Sequence, residues 1–176
     1  MIAIVNPVLI VKDHIRYLKE SANTFILAIL FILLPVFLAF VLIKLSIYPS
    51  VSFLNALLTA VSIISALMFS LLFIVLDVGR KIKEDLEENK QSPVNWHRYK
   101  LLKQLLTNVS FSILLGILII FVILTTLLLK KYISSLLWLK LLGSVVFYYL
   151  LFIYLLTLLQ ILKRSYILLE HELKIS

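Results

Sequence analysis

Cysteine is absent from the 176 residues. No disulfide can form and no lipid can be attached through a thiol, which argues against four-span families built on extracellular disulfides. Only 3 glycines are present, too few for a phosphate-cradling loop. No basic n-region precedes the apolar start MIAIVNPVLIV, so a cleaved signal is not expected. Catalytic groupings are missing as well. His14, His97 and His171 are each isolated, none has a second ligand at metal spacing, and no Ser-His-Asp pairing is visible. The expectation is a protein that is not an enzyme and holds no cofactor and no metal.

What is present is apolar sequence. Hydrophobic residues make up 62% of the chain, and the mean hydropathy is +1.11. Phe25–Ile43, Val51–Leu76, Leu105–Leu129 and Leu141–Leu162 are uncharged and long enough to cross a bilayer. Continuous apolar runs point to helices rather than to a barrel, whose strands alternate. The fold class expected is all-α: a polytopic membrane protein with four transmembrane helices and a helical cytoplasmic hairpin extending spans two and three. The chain divides into 1–20 (amphipathic interfacial helix), 21–79 (first transmembrane hairpin), 80–104 (cytoplasmic helical hairpin), 105–162 (second transmembrane hairpin) and 163–176 (amphipathic tail).

The net charge of +8 is distributed by topology. All of the 17 basic residues except Lys44, Lys130, Lys131 and Lys140 lie on the side that holds the termini and the central loop, and all 9 acidic residues join them. By the positive-inside rule that side is cytoplasmic. The localisation expected is the inner (cytoplasmic) membrane, multi-pass, with both termini inside. The basic excess then serves orientation and anionic headgroups rather than direct contact with nucleic acid. Lys12, Arg16, Lys19, Trp96, Arg98, Lys100 and Lys103 are the headgroup candidates.

Val8, Val11, Ile15 and Leu18 share one helical face, with Lys12, Arg16 and Lys19 opposite. A surface anchor is the first reading of this segment, and a gate docked under the bundle the second. Pro35 interrupts span one and predicts a bend, static in the first reading and a hinge in the second. A very short turn at Lys44, Tyr48 and Pro49 makes spans one and two an antiparallel hairpin.

Span two carries Ser52, Asn55, Thr59, Ser62 and Ala66 at steps of three and four, five small or polar groups on one stripe. Span three offers Asn108, Ser112 and Gly116 at successive fours. Close helix packing is the first reading of both sets, most simply against each other, and a pore lining the second. Past Leu76 the sequence turns charged without a proline, so span two continues into the cytoplasm. Arg80 with Glu84, Lys81 with Asp85 and Lys83 with Glu87 are spaced for helix pairing. Ile82 and Leu86 run an apolar line through these charges, which suits contact with a partner. Lys81, Ile82, Lys83, Leu86 and Glu87 are therefore the partner-docking candidates. Ser92 and Pro93 start the next helix, which runs into span three.

Two functions follow. The first is a homo-oligomeric sensor or anchor subunit that docks a cytoplasmic protein through its central loop. The second is an oligomeric ion channel or membrane-permeabilising pore lined by the span-two stripe. A small drug-type exporter would need a membrane carboxylate, and no span centre has one. In size, four spans, inside termini and Lys/Ile/Asn-rich character, the chain resembles small membrane components of bacterial anti-phage defence systems. The membrane subunit of the Kiwa system and a phage-exclusion membrane protein are examples. The resemblance is one of layout, and it implies a homo-oligomeric membrane sensor with a cytoplasmic effector as its partner.

Overall fold

Five helices follow from these patterns in the computed structural model, which describes residues 7–21, 25–26, 29–88, 93–129 and 137–175. They are α1 (Pro7–Ser21), α2 (Leu34–Lys44), α3 (Val51–Glu88), α4 (Pro93–Leu128) and α5 (Leu137–Ile175). No strand occurs among the described residues. Of these helices, α3, α4 and α5 are long and apolar enough to cross a membrane. At 38, 36 and 39 residues each runs about 55 Å, well beyond a bilayer core of about 30 Å.

Local chemistry sets the ends. Ser50 stands at the N-cap of α3, where its Oγ accepts a hydrogen bond from the Phe53 N–H at 3.2 Å. Pro93 opens α4, where a missing N–H costs nothing. Pro35 is the second residue of α2, and the turn before it, Ile29–Leu33, is π-helical. The proline ring cannot accommodate a tight carbonyl one turn back, and a widened turn relieves the conflict. The expected bend therefore takes the form of a π segment. At the other end of α2, Ser46 adopts φ 57. Its N–H donates to Ile43 O, and the N–H of Ile47 donates to Leu42 O, each at 2.9 Å, which closes a Schellman cap.

Helix neighbours depart from chain order. α3 packs on α4, α4 on α5 and α5 on α2, while α1 lies against α4. The result is a row, α3–α4–α5–α2, not four helices closed around an axis. The predicted hairpin of spans one and two exists as a turn, but α2 leans on α5. There the Tyr148 hydroxyl donates to Ile47 O at 3.1 Å, and the Lys140 Nζ sits 4.0 Å from the centroid of the Tyr48 ring. Position in the row decides burial. In the most apolar stretch of α3, 17% is buried, against 33% in α4 and 28% in α5. The terminal α3 packs mainly on α4 and meets α5 at points such as Phe53 against Phe147, so it keeps a bare face.

Two apolar clusters hold the row together. One joins Leu54 and Val61 of α3 to Leu115, Ile119 and Ile123 of α4 and to Phe147 and Tyr154 of α5. The second joins Val75 and Ile82 to Leu102, Leu105, Val109 and Ile161. The packed core thus continues along α3 and α4 into the charged ends of both helices.

Candidate functional site

The polar side chains that the row buries come mainly from its middle. On α4 they are Gln104, Asn108 and Ser112, followed one turn later by Gly116, and on α5 they include Tyr154, Thr157 and Arg164. A four-residue step keeps the α4 set on one face, and α5 presents its own set to that face. α3 adds Ser65, and α1 adds His14. Together they form a buried polar column between α4 and its neighbours.

Its inner end is built around Asn108. The carboxamide Oδ1 can only accept, so the His14 Nδ1–H donates to it across 3.0 Å. The imidazole stacks on Phe111 at 3.9 Å and 18°, with the Phe31 ring edge-on at 6.3 Å. With 2% of its surface exposed, His14 has its pKa lowered from 6.5 to about 4. Burial is the main cause and the nearby Arg164 charge adds to it, with the Asn108 bond opposing both. His14 is therefore neutral at physiological pH. Beside it, Arg164 Nη1 donates to the backbone oxygen of Gln104 at 3.0 Å.

Further along the column, the Tyr154 hydroxyl is directed at the hydroxyls of Ser65 and Ser112 without closing a hydrogen bond to either. Ser65 stands over Gly116, and a Cβ added at Gly116 would run into Ser65 Oγ. Thr157 satisfies itself by donating to Ile153 O at 2.8 Å. Six buried polar atoms of the column make no protein hydrogen bond: His14 Nε2, Asn108 Nδ2, Ser112 Oγ, Ser65 Oγ, Tyr154 OH and Gln160 Oε1. Each such group costs about 1–3 kcal/mol unless a polar molecule meets it. Neither serine hydroxyl is hydrogen-bonded to a base, so the column offers donors and acceptors but no activated nucleophile.

The structure divides the residues expected from the sequence. Asn108, Ser112 and Gly116 are buried, and their counterpart on α3 is Ser65, not the stripe. Ser52, Asn55, Thr59, Ser62 and Ala66 all lie on the exposed face of α3. The surface of α3 that meets α4 is the Leu54, Val61, Ser65, Val75 and Ile82 line. Mutual packing of the two stripes within one chain is thereby corrected. The stripe tolerates exposure because Thr59 and Ser62 donate to Asn55 O at 3.2 Å and Leu58 O at 2.7 Å on their own helix.

Ile82 is a second correction. It is 6% exposed and packs in one cluster with Leu102 of α4, so the apolar line continues the internal core and is not offered to a partner at that position. Lys81 and Lys83 are exposed, and Lys81 pairs with Asp77 at 3.3 Å. The side chains of Asp85, Leu86 and Glu87 lie outside the described residues, as do Ser92 and the side chains of His97 and His171. Lys12, Arg16, Lys19, Trp96, Lys100 and Lys103 are exposed, and Arg98 is half-buried.

Helix α1 is rotated from its expected face. His14, Tyr17 and Leu18 are buried against the bundle, while Val8 and Ile15 are exposed. The sequence reading treated His14 as isolated. The available signal was its position three and four residues before Tyr17 and Leu18, in the middle of a helical face. The tail also differs, since 163–175 continues α5 directly.

In comparison with known proteins, no family model matches this chain, nor does any curated protein or solved structure.

Proposed function

We infer that the chain is a membrane-embedded anchor that assembles with copies of itself and presents a rigid cytoplasmic hairpin to a soluble protein partner. In this reading α3, α4 and α5 cross the membrane, and the kinked run from Phe25 through Lys44, about 20 residues, forms a fourth span. The charge distribution supports a cytoplasmic position for both termini and the 80–104 hairpin.

The observation that carries the reading is the continuity of the core past the apolar spans. Ile82 packs with Leu102, and Tyr99 packs against the same cluster. The hairpin is thus a stiff extension of the bundle rather than a loop. Its surface displays Arg80, Lys81, Lys83, Glu84, Lys100 and Lys103, a charged face suited to steering and docking an acidic surface. The layout resemblance to anti-phage membrane subunits supplies a class for the partner, a cytoplasmic effector. Charge reversal at Lys83 and Lys103 together is expected to abolish co-purification of a cytoplasmic protein with the intact bundle. Retention of that protein by the double variant would refute the docking role.

A pore is the second reading, favoured by one observation: the whole Ser52–Ala66 stripe is exposed at the end of the row. Several chains turning this face inward would line a path with hydroxyls and the Asn55 carboxamide. Purified protein in liposomes tests it. Conductance that Asn55→Leu abolishes supports a pore, and silence of the wild type under every stimulus removes it.

A further inference from the structure

Helix α1 does not lie flush on the bundle. Between it, the π segment and helices α4 and α5 runs a groove of about 330 Å³, within the range of small-ligand sites. Its walls are apolar, formed by Ile15, Leu18, Phe31, Ile32, Phe111 and Ile153. The His14 ring belongs to the same wall, and its polar Nδ1 is already committed to Asn108. Directly beside it is a second hollow of about 410 Å³, lined by Lys12, Ile15, Arg16 and Lys19. Ile15 and Lys19 belong to both. A single feature therefore passes from an apolar slot to a rim of three cations within two turns of α1. Asp13, on the same helix, lines neither hollow.

We propose that this groove is a binding site for one anionic phospholipid, with an acyl chain between α1 and the bundle and the phosphate at Lys12, Arg16 and Lys19. The proposal rests on the membrane-embedded reading, but not on the docking of a soluble partner. Three physical points carry it. An apolar groove of this size is not filled by water, which needs polar partners. In a bilayer the apolar filler at hand is a lipid tail, and Ile32 on the groove wall is exposed to its surroundings. Bulk lipid offers a tail the same apolar surroundings, so the groove gains selectivity from shape and charge rather than from hydrophobicity. The rim supplies the charge: three basic side chains on one helical face, stepping four and three residues, converge on one headgroup and favour a phosphodiester without a compensating ammonium. Arg16 also lies 5.8 Å over the Tyr17 ring.

The test uses full-length protein in mild detergent with an equimolar supply of phosphatidylglycerol and phosphatidylcholine, read by native mass spectrometry. One phosphatidylglycerol per chain is expected, favoured by roughly tenfold over phosphatidylcholine. Lys12→Gln, Arg16→Gln and Lys19→Gln combined should remove the preference. Ile32→Trp, at an exposed position on the groove wall, should lower occupancy by roughly tenfold through shape alone. Lys44→Gln, Lys140→Gln and Lys163→Gln combined, three exposed lysines away from the groove, serve as the charge-matched control and should leave occupancy unchanged. Equal loss in this control, no saturation at one lipid, or wild-type occupancy in Ile32→Trp would each overturn the site. Displacement of the lipid by millimolar inorganic phosphate would also overturn it, because the acyl chain would then contribute nothing. Flotation with phosphatidylcholine liposomes separates the two levels. Protein that floats but holds no stoichiometric lipid refutes only the site, whereas protein that does not float refutes the membrane reading beneath it.

Discussion

Helices α3 and α4 carry the same kind of polar pattern and use it in opposite ways. Asn55, Thr59, Ser62 and Ala66 on α3 are exposed, while Asn108, Ser112 and Gly116 on α4 are buried. Spacing does not distinguish them, because both sets follow a helical stripe. Neighbours do. α4 sits inside the row between α3 and α5, with α1 laid across it, whereas α3 ends the row with α4 as its main neighbour. The α4 stripe therefore faces residues of three elements, Ser65, Tyr154 and His14, of which His14 closes a hydrogen bond to it. The α3 stripe found most of its partners on its own backbone. Small polar residues in a membrane helix thus mark a surface capable of close approach, without saying whether it is used within the chain or beyond it.

The contrast can be broken most strongly at its tightest point. Gly116→Leu would force a side chain into Ser65 and separate α3 from α4. The expected cost is about 3 kcal/mol or more, read as a lower melting temperature in detergent. Ala66→Leu on the outer stripe should leave the melting temperature unchanged and act, if anywhere, on self-association. Equal destabilisation by both changes would mean that the stripes do not differ.

Acid should weaken the buried column and spare the outer stripe. The pKa of His14 is lowered from 6.5 to about 4, so between these values the unfolded chain binds a proton that the folded chain refuses. Stability is full above about pH 6.5 and falls as pH drops toward about 4, by an amount on the order of 2–3 kcal/mol. Thermal melts of the wild type and of His14→Phe across this window check the sign: the variant's curve should be flatter by that amount.

A matched pair of asparagines sharpens the comparison further. Asn108→Leu leaves the His14 Nδ1–H buried without an acceptor and should cost about 1–3 kcal/mol. Asn55→Leu should cost less than about 0.5 kcal/mol in the monomer, yet change the oligomer distribution seen by native mass spectrometry. A modest gain is expected at the turn between α2 and α3, remote from both stripes. Ser46→Gly relieves a left-handed residue at φ 57 and should raise stability by about 0.5–1 kcal/mol. A melting temperature that stays put would show that the Schellman cap stores no strain there.

Much of the fold could be read from the residues. The three long helices, the start of α4 at Pro93, the disturbance at Pro35 and the helical extension of α3 past Leu76 all follow from local rules. Ile82 was legible only in part. Its apolar line was visible, but the Leu102 cluster that covers it lies 20 residues on, across the turn. His14 was missed because a lone histidine beside Asp13 and Lys12 looks like an interfacial residue. Its acceptor, Asn108, is 94 positions away.

By itself the sequence determined the lengths of the helices, their apolar character and the segregation of charge to one end. These depend on local composition and on the cost of an unsatisfied backbone in lipid. Only the tertiary structure decided which face of each helix is inside. In water an apolar face identifies the core, but lipid is as apolar as leucine, so hydropathy carries no information about facing. Shape and hydrogen-bond partners make that choice. They placed α4 and α5 in the middle of the row around a polar column, and left α3 at its edge with an exposed stripe.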